Sequence, residues 1–224
     1  MNILVACEES QAVCKAFRER GHRAFSCDIQ ECSGGHPEWH IIGDVLPLLN
    51  GRCEFTLQNG QTDRQTDRWD LIIAHPPCTY LSNAGACRLY KKFNGKTYIE
   101  RERFEKGLDG KEFFLSCLNA DCDRIAVENP VPSAVYRLPK ATQTIQPYEY
   151  GHPYTKRTYL WIKGLPSLKP TEIVKPNGGY ICGNSDIWKK QAAAGEVIGK
   201  EKSAKHRSKT FTGIANAMAE QWGG

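Results

Sequence analysis

Four apolar residues, Leu71 to Ala74, lie between Trp69-Asp70 and the break His75-Pro76-Pro77, and this stretch limits the fold more than any other. It reads as a buried strand that ends abruptly in a loop. In an open α/β sheet, ligands bind in the crevice beyond the carboxyl ends of the strands. Two consecutive prolines fix the backbone there, so the loop delivers Cys78 to that crevice on a rigid support. A cysteine so placed is a candidate nucleophile, although the same position suits a small core residue beside a turn.

The flanking sequence supplies the rest of such a sheet. Ile3 to Ala6 is a short apolar strand, and Ser10 is placed to cap a helix from Gln11 to Arg20 whose apolar face carries Ala12, Val13, Ala16 and Phe17. Gly21 stops that helix. Arg23 to Cys27 forms a second strand with Asp28 at its end, so the chain opens as a β-α-β unit. An acid there accepts ribose hydroxyls in nucleoside-binding folds, and it equally suits a solvated turn. Trp39 to Ile42 is a third strand, followed by Gly43-Asp44.

Residues 52–68 are polar and carry the tandem Gln61-Thr62-Asp63-Arg64 and Gln65-Thr66-Asp67-Arg68, a surface hairpin or insertion loop. Arg88 to Gly110 mixes Tyr90, Phe93 and Tyr98 with Lys91, Lys92, Arg101 and Arg103. That mixture suits stacking on bases and contact with phosphate, and it also suits an amphipathic surface helix, the reading taken here. Lys111 to Ala120 is a helix with Phe113, Phe114 and Leu118 toward the core. Arg124 to Val127 is the next strand, ending in Glu128-Asn129-Pro130. This repeats the architecture of the cysteine loop, and adjacent strands would bring Cys78 and Glu128 into one crevice. Gln143 to Gln146 and Thr158 to Lys163 are further strands around the loop from Gly151 to Arg157, and a helix runs from Phe211 to Trp222.

A chain of 224 residues suits one domain. Its net charge of +5 permits nucleic acid as a partner without demanding it. Ten cysteines behind a start with no apolar signal segment or membrane span point to a reducing cytoplasm and free thiols. Cys32, His36 and His40, with Cys27 nearby, lack the paired CxxC spacing of structural zinc sites, so no metal is expected. Residues 165–210 have few apolar residues and include the basic stretch Lys200, Lys202, Lys205, His206, Arg207 and Lys209. This is either a loose connector or a phosphate-contacting segment.

Pro76-Pro77-Cys78 followed by Ser82 and Gly85 resembles the Pro-Cys-x-x-x-Ser-x-x-Gly motif of the DNA cytosine-C5 methyltransferases, with Thr79 and Leu81 in place of the usual glutamine and phenylalanine. Glu128-Asn129-Pro130 is similar to that family's Glu-Asn-Val. The loop from Gly151 to Arg157 is similar to its Gly-x-Pro-Gln-x-Arg-x-Arg, with Lys156 or Arg157 as the cation. Ile214-Ala215-Asn216-Ala217-Met218 resembles its closing Ile-Gly-Asn-Ala-Val. Cys7-Glu8-Glu9-Ser10-Gln11 replaces the family's glycine-rich first turn.

The resemblance implies a Rossmann-like α/β fold, with a mostly parallel sheet and helices on both faces, that uses S-adenosylmethionine to methylate C5 of a flipped cytosine in DNA. It implies catalytic roles for Cys78 on C6, for Glu128 on N3 and for Lys156 or Arg157 near O2. Cofactor contacts would come from Cys7, Glu8, Ser10, Asp28, Asp44, Pro76 and Asn216. The member it suggests is compact and phage-like, without a sizeable recognition domain, so that its target would be short or degenerate unless a partner reads sequence. An RNA or free-nucleotide substrate, or a cofactor binder whose catalysis has lapsed, are the alternative readings.

Overall fold

The computed structural model describes residues 1–86, 88–177 and 209–224, and the backbone of residues 179–180. The basic residues Lys200 to Arg207 lie outside the described residues.

In chain order, β1 (Asn2–Ala6), α1 (Ala12–Glu19), β2 (Arg23–Asp28) and β3 (His40–Ile42) form the first half. A hairpin of β4 (Cys53–Thr56) and β5 (Thr62–Gln65) precedes β6 (Leu71–Ala74). Then come the short helix α2 (Asn83–Ala86), a second hairpin of β7 (Tyr90–Phe93) and β8 (Lys96–Ile99), and the long helix α3 (Arg101–Leu118). The last part holds β9 (Ile125–Pro130), β10 (Gln143–Ile145), β11 (Tyr154–Thr155), β12 (Thr158–Lys163), β13 (Gly179–Tyr180) and α4 (Thr212–Trp222).

Seven strands make one sheet in the order β10-β12-β9-β6-β1-β2-β3. The pairs β2/β3, β1/β2, β1/β6 and β6/β9 are parallel, and β9/β12 and β10/β12 are antiparallel. The chain first winds outward from β1 to β3, then returns to lay β6 on the other flank of β1. That reversal opens a crevice at the carboxyl ends of β1 and β6, the place where doubly wound sheets bind ligands.

Both faces of the sheet are covered, which is why its central strands are apolar at every position. Ile3, Val5, Leu71, Ile73 and Ala126 pack with Val13 and Phe17 of α1 and Ile214, Met218 and Trp222 of α4. Leu4, Ala6, Ile72, Ala74, Ile125 and Val127 pack on the opposite side with Phe114 and Cys117 of α3 and with Trp161. Each fully buried aliphatic side chain of this kind contributes about 1.5–3 kcal/mol.

Three expectations are corrected. Ser10 does not provide the cap of α1: it precedes the N-cap residue, Gln11, and its Oγ accepts only a long bond, 3.5 Å, from the Ala12 amide. The Glu8 carboxylate does so instead, accepting from Val13 N at 2.7 Å and Cys14 N at 3.1 Å, and its two oxygens satisfy two of the orphan amides of the helix start. Residues 90–99 are a hairpin, not a helix. Asn94 and Gly95, with φ of 48° and 73°, form the turn that joins β7 to β8, and the helix starts only at Arg101, with Glu100 accepting from Arg103 N at 2.8 Å. The start of the connector is not loose: Leu168 is buried, Gln143 bonds its backbone at both ends, and Gln221 does the same for Lys169.

Candidate active site

The cysteine loop is held by its neighbours at every step. His75 N donates to Ala6 O at 2.9 Å, so the loop leaves the sheet beside the end of β1. The buried Asn129 donates through Nδ2 to Pro76 O at 2.8 Å, fastening the loop to the end of β9. Beyond Cys78, Ser82 N returns to Cys78 O at 2.9 Å, and Ser82 Oγ accepts from Gly85 N at 3.2 Å. A Cβ at Gly85 would sit 2.5 Å from Thr79 O, so only glycine fits there. The spacing of cysteine, serine and glycine is therefore that of one tight turn, with serine closing it and glycine allowing its two arms to meet. Arg103 of α3 seals the outside, donating to Thr79 O at 2.8 Å and Gly85 O at 3.3 Å.

The loop forms one wall of a cleft of about 430 Å³ whose lining includes Cys78, Glu128, Lys156, His75, Asp28 and Glu8. Glu128 Oε2 lies 3.3 Å from His75 Nδ1, and both side chains are almost fully enclosed. Burial alone would push the Glu128 carboxyl up, but the His75 hydrogen bond and the charges of Lys156 and His75 outweigh it and hold the group below the ordinary carboxylate range. Glu128 is thus ionised at neutral pH. The Cys78 thiol is pushed up, first by burial and then by the Glu128 charge, with Lys156 opposing. The thiol therefore carries its proton at rest, in the same cleft as an ionised carboxylate.

Of the two expected cations, Lys156 lines the cleft, whereas Arg157 is exposed and outside the lining. Lys156 is fixed by its backbone amide on Gln146 Oε1 at 3.0 Å. Thr158, the residue after Arg157, is buried and turns its hydroxyl back to Lys156 O.

Cys7, Glu8 and Ser10, after β1, and Asp28, at the end of β2, line the same cleft, as does Pro76. Cys7 and Gln11 adopt φ of 59° and 57°, so the loop makes left-handed turns that the glycine-rich version makes with glycine. Glu8 is engaged with α1, and burial raises its carboxyl above the usual range. One oxygen of Asp28 accepts from Gln30 N at 2.9 Å. Asp44 is exposed, bonds Leu46 N at 3.0 Å and is not in the lining. Asn216 is exposed on α4 and also outside it.

Sequence reasoning overlooks His75 and Asn129, which belong to the site and its supports. A titratable residue at the very end of a buried strand is signal enough for His75. Asn129 bears on the site only through the β6–β9 pairing, which no local pattern shows. Lys209, read from sequence as one cation of a basic stretch, lines the cleft with Thr210 and donates to Ser33 Oγ at 3.0 Å.

Among the described residues, no group of three histidine, cysteine or acidic side chains is placed to hold a metal ion. His40 is occupied at both nitrogens, by Ser26 Oγ at 2.8 Å and Gln30 O at 2.9 Å, and His36 stacks on Trp39. The eight described cysteines are free thiols. Among the described residues no helix is long and apolar enough to cross a membrane.

No protein-family model matches the chain, and no curated protein matches it significantly. Among solved structures it is similar to a candidate DNA modification methyltransferase encoded within an E. coli prophage, at 13% identity and a TM-score of 0.45. That match covers 78% of this chain and 52% of the other, so the chain spans about half the length of that protein.

Proposed function

We propose that this protein transfers a methyl group from S-adenosylmethionine to C5 of cytosine in DNA through a covalent bond between Cys78 and C6. The observation that carries the reading is the meeting of a protonated thiol, an ionised carboxylate and an ammonium, Cys78, Glu128 and Lys156, in one cleft at the ends of parallel strands. Strand order supports a Rossmann-like methyltransferase fold, because β3-β2-β1-β6-β9 follows the doubly wound order outward from a central switch point.

The residues lining the cleft with Asp28 fit the cofactor: an acid stands at the end of β2, and the left-handed turns at Cys7 and Gln11 bring backbone to the cleft without glycine. Asp28 would hold the ribose hydroxyls, and Cys7, Ser10 and Pro76 would line its surroundings. Asp44 and Asn216, outside the cleft lining, are not assigned a contact. When bound, S-adenosylmethionine supplies the electrophilic methyl group that C5 accepts.

The chain's own residues manage protons and the ring. As the Cys78 sulfur bonds to C6 its proton leaves through Glu128, which carries it only in transit because the carboxylate is a much weaker base than the thiolate. As the ring's electron pair moves onto N3, Glu128 returns that proton there, so that no charge builds up unsupported. His75 orients Glu128 and keeps it ionised between turnovers. Lys156 offsets the negative charge of the sulfur and of O2. After methylation N3 gives its proton back, water removes the C5 proton, and the S–C6 bond breaks to restore the thiol.

The test uses duplex DNA with 5-fluorocytosine at the target, since fluorine at C5 blocks the final elimination. Wild type with S-adenosylmethionine should form a DNA adduct that survives denaturation. Cys78→Ser should form none, and should lose methyl transfer while binding the cofactor as before. Full transfer by Cys78→Ser would overturn the covalent mechanism.

A further inference from the structure

Between the cysteine loop and α3, the ribbon β7–β8 leaves the body of the protein with all eight of its strand residues exposed. A two-stranded ribbon is marginally stable in water by itself, yet this one presents large apolar groups, with Phe93 68% and Tyr98 48% accessible. Its pairing sorts the side chains. Lys91 faces Tyr98 and Phe93 faces Lys96 on one side, while Tyr90 faces Ile99 and Lys92 faces Thr97 on the other. From Arg88 to Ile99 the chain holds four cations and no acid.

The ribbon is rooted at the site. Its closing bond runs from Glu100 N to the carbonyl of the buried Leu89 at 2.8 Å. Arg103, three residues on, grips Thr79 O, the carbonyl next to Cys78. Whatever the ribbon binds is therefore held beside the mouth of the cleft.

We propose that the β7–β8 ribbon is a docking surface for duplex DNA, in which Lys91, Lys92 and Lys96 sit on phosphates and Phe93 and Tyr98 lie against base edges or steps. A two-stranded ribbon fits the major groove. The cations match a phosphate backbone, and exposed aromatics among them match the thymine methyls of the groove or wedge between base steps. The ribbon then takes the gripping role expected of a recognition domain, from a position directly after the nucleophile. This inference rests on the methyltransferase reading for its choice of DNA, and the experiment separates the two.

Three variants are compared with wild type: Lys91→Ala/Lys92→Ala/Lys96→Ala, Phe93→Ala/Tyr98→Ala, and one in which residues 90–99 are replaced by an Asn-Gly turn closing the Leu89–Glu100 pair. Fluorescence anisotropy with a labelled DNA duplex is measured across a salt series, with melting temperature and S-adenosylmethionine affinity as controls. The lysine variant should flatten the dependence of log affinity on log salt by about 0.9 for each phosphate it no longer neutralises. The aromatic variant should lose affinity by about tenfold, the scale of a base-edge contact in the groove, and both controls should stay at wild-type values. Wild-type affinity and slope in all three variants would overturn the proposal, as would stronger binding to duplex RNA than to DNA. If wild type methylates cytosine and the ribbon variants do so with unchanged KM, the ribbon assignment fails and the methyltransferase reading stands. If binding depends on the ribbon but no methyl is transferred, the ribbon assignment stands and the enzymatic one fails.

Discussion

Replacing Asn129 by alanine tests whether the cysteine loop is held by the end of β9. The substitution removes the bond from Asn129 Nδ2 to Pro76 O, 2.8 Å long and fully buried. Losing a net hydrogen bond costs about 0.5–1.5 kcal/mol, and leaving a buried carbonyl without a donor costs about 1–3 kcal/mol. Against this, Asn129 Oδ1 already lacks a partner among the described residues, and its removal relieves a penalty of similar size. The balance is a loss of about 0.5–1.5 kcal/mol, which for a chain of this size lowers the melting temperature by roughly 1–6 °C. Activity should suffer more than stability. Pro76 stands two residues before Cys78, and a shift of about 1 Å at a reacting group costs on the order of a hundredfold in rate. Thermal melts and initial rates of methyl transfer measure both effects. Asn129→Asp, which keeps the shape but turns an acceptor toward the carbonyl, should fail to rescue either. A lowered melt with wild-type turnover would show that this bond stabilises the fold without positioning the nucleophile, and no change in either would show that it does neither.

Because the Glu128 charge raises the Cys78 thiol and Lys156 lowers it, Glu128→Gln should speed alkylation of Cys78 by iodoacetamide at fixed pH, even as it abolishes methyl transfer. Lys156→Ala should slow alkylation, and the reverse order of the two would contradict the assigned electrostatics. Asp28→Ala should weaken S-adenosylmethionine binding by about 1.5–3 kcal/mol in calorimetry, the worth of a hydrogen bond to a charged group. Unchanged affinity would remove Asp28 from the cofactor site. Burial, with help from Asp28 and Asp44 at Cys27 and from Asp44 at Cys117, pushes both thiols up to about 12. The stability they hold is complete below the ordinary thiol value and drains away as pH rises toward the folded value, so Cys27→Ala/Cys117→Ala should flatten the alkaline limb of a pH–stability curve.

The sheet is legible in the sequence because parallel strands covered on both faces must be apolar without interruption, as Ile3 to Ala6, Leu71 to Ala74 and Ile125 to Val127 are. Their ends are legible too, since a polar break after each strand marks the crevice. The β7–β8 ribbon escapes such reading although Asn94-Gly95 signals a turn, because aromatics alternating with lysines fit a helix face as readily as a ribbon. The Glu8 cap is hidden by distance: its carboxylate reaches amides five and six residues ahead, through backbone turned left-handed at Cys7 and Gln11. The His75–Glu128 and Asn129–Pro76 contacts each join residues 53 apart. They exist only because β6 and β9 are neighbours, a fact of topology that local patterns do not carry.

The proposed action of Cys78 and Glu128 on C5 of cytosine in DNA leaves a product that can be identified chemically. The most direct test incubates the purified protein with DNA and S-adenosylmethionine carrying a labelled methyl group, digests the DNA to nucleosides and identifies the labelled one. Wild type should yield 5-methyldeoxycytidine and Cys78→Ser none. Label in N6-methyldeoxyadenosine or N4-methyldeoxycytidine, or in RNA but not DNA, would contradict it.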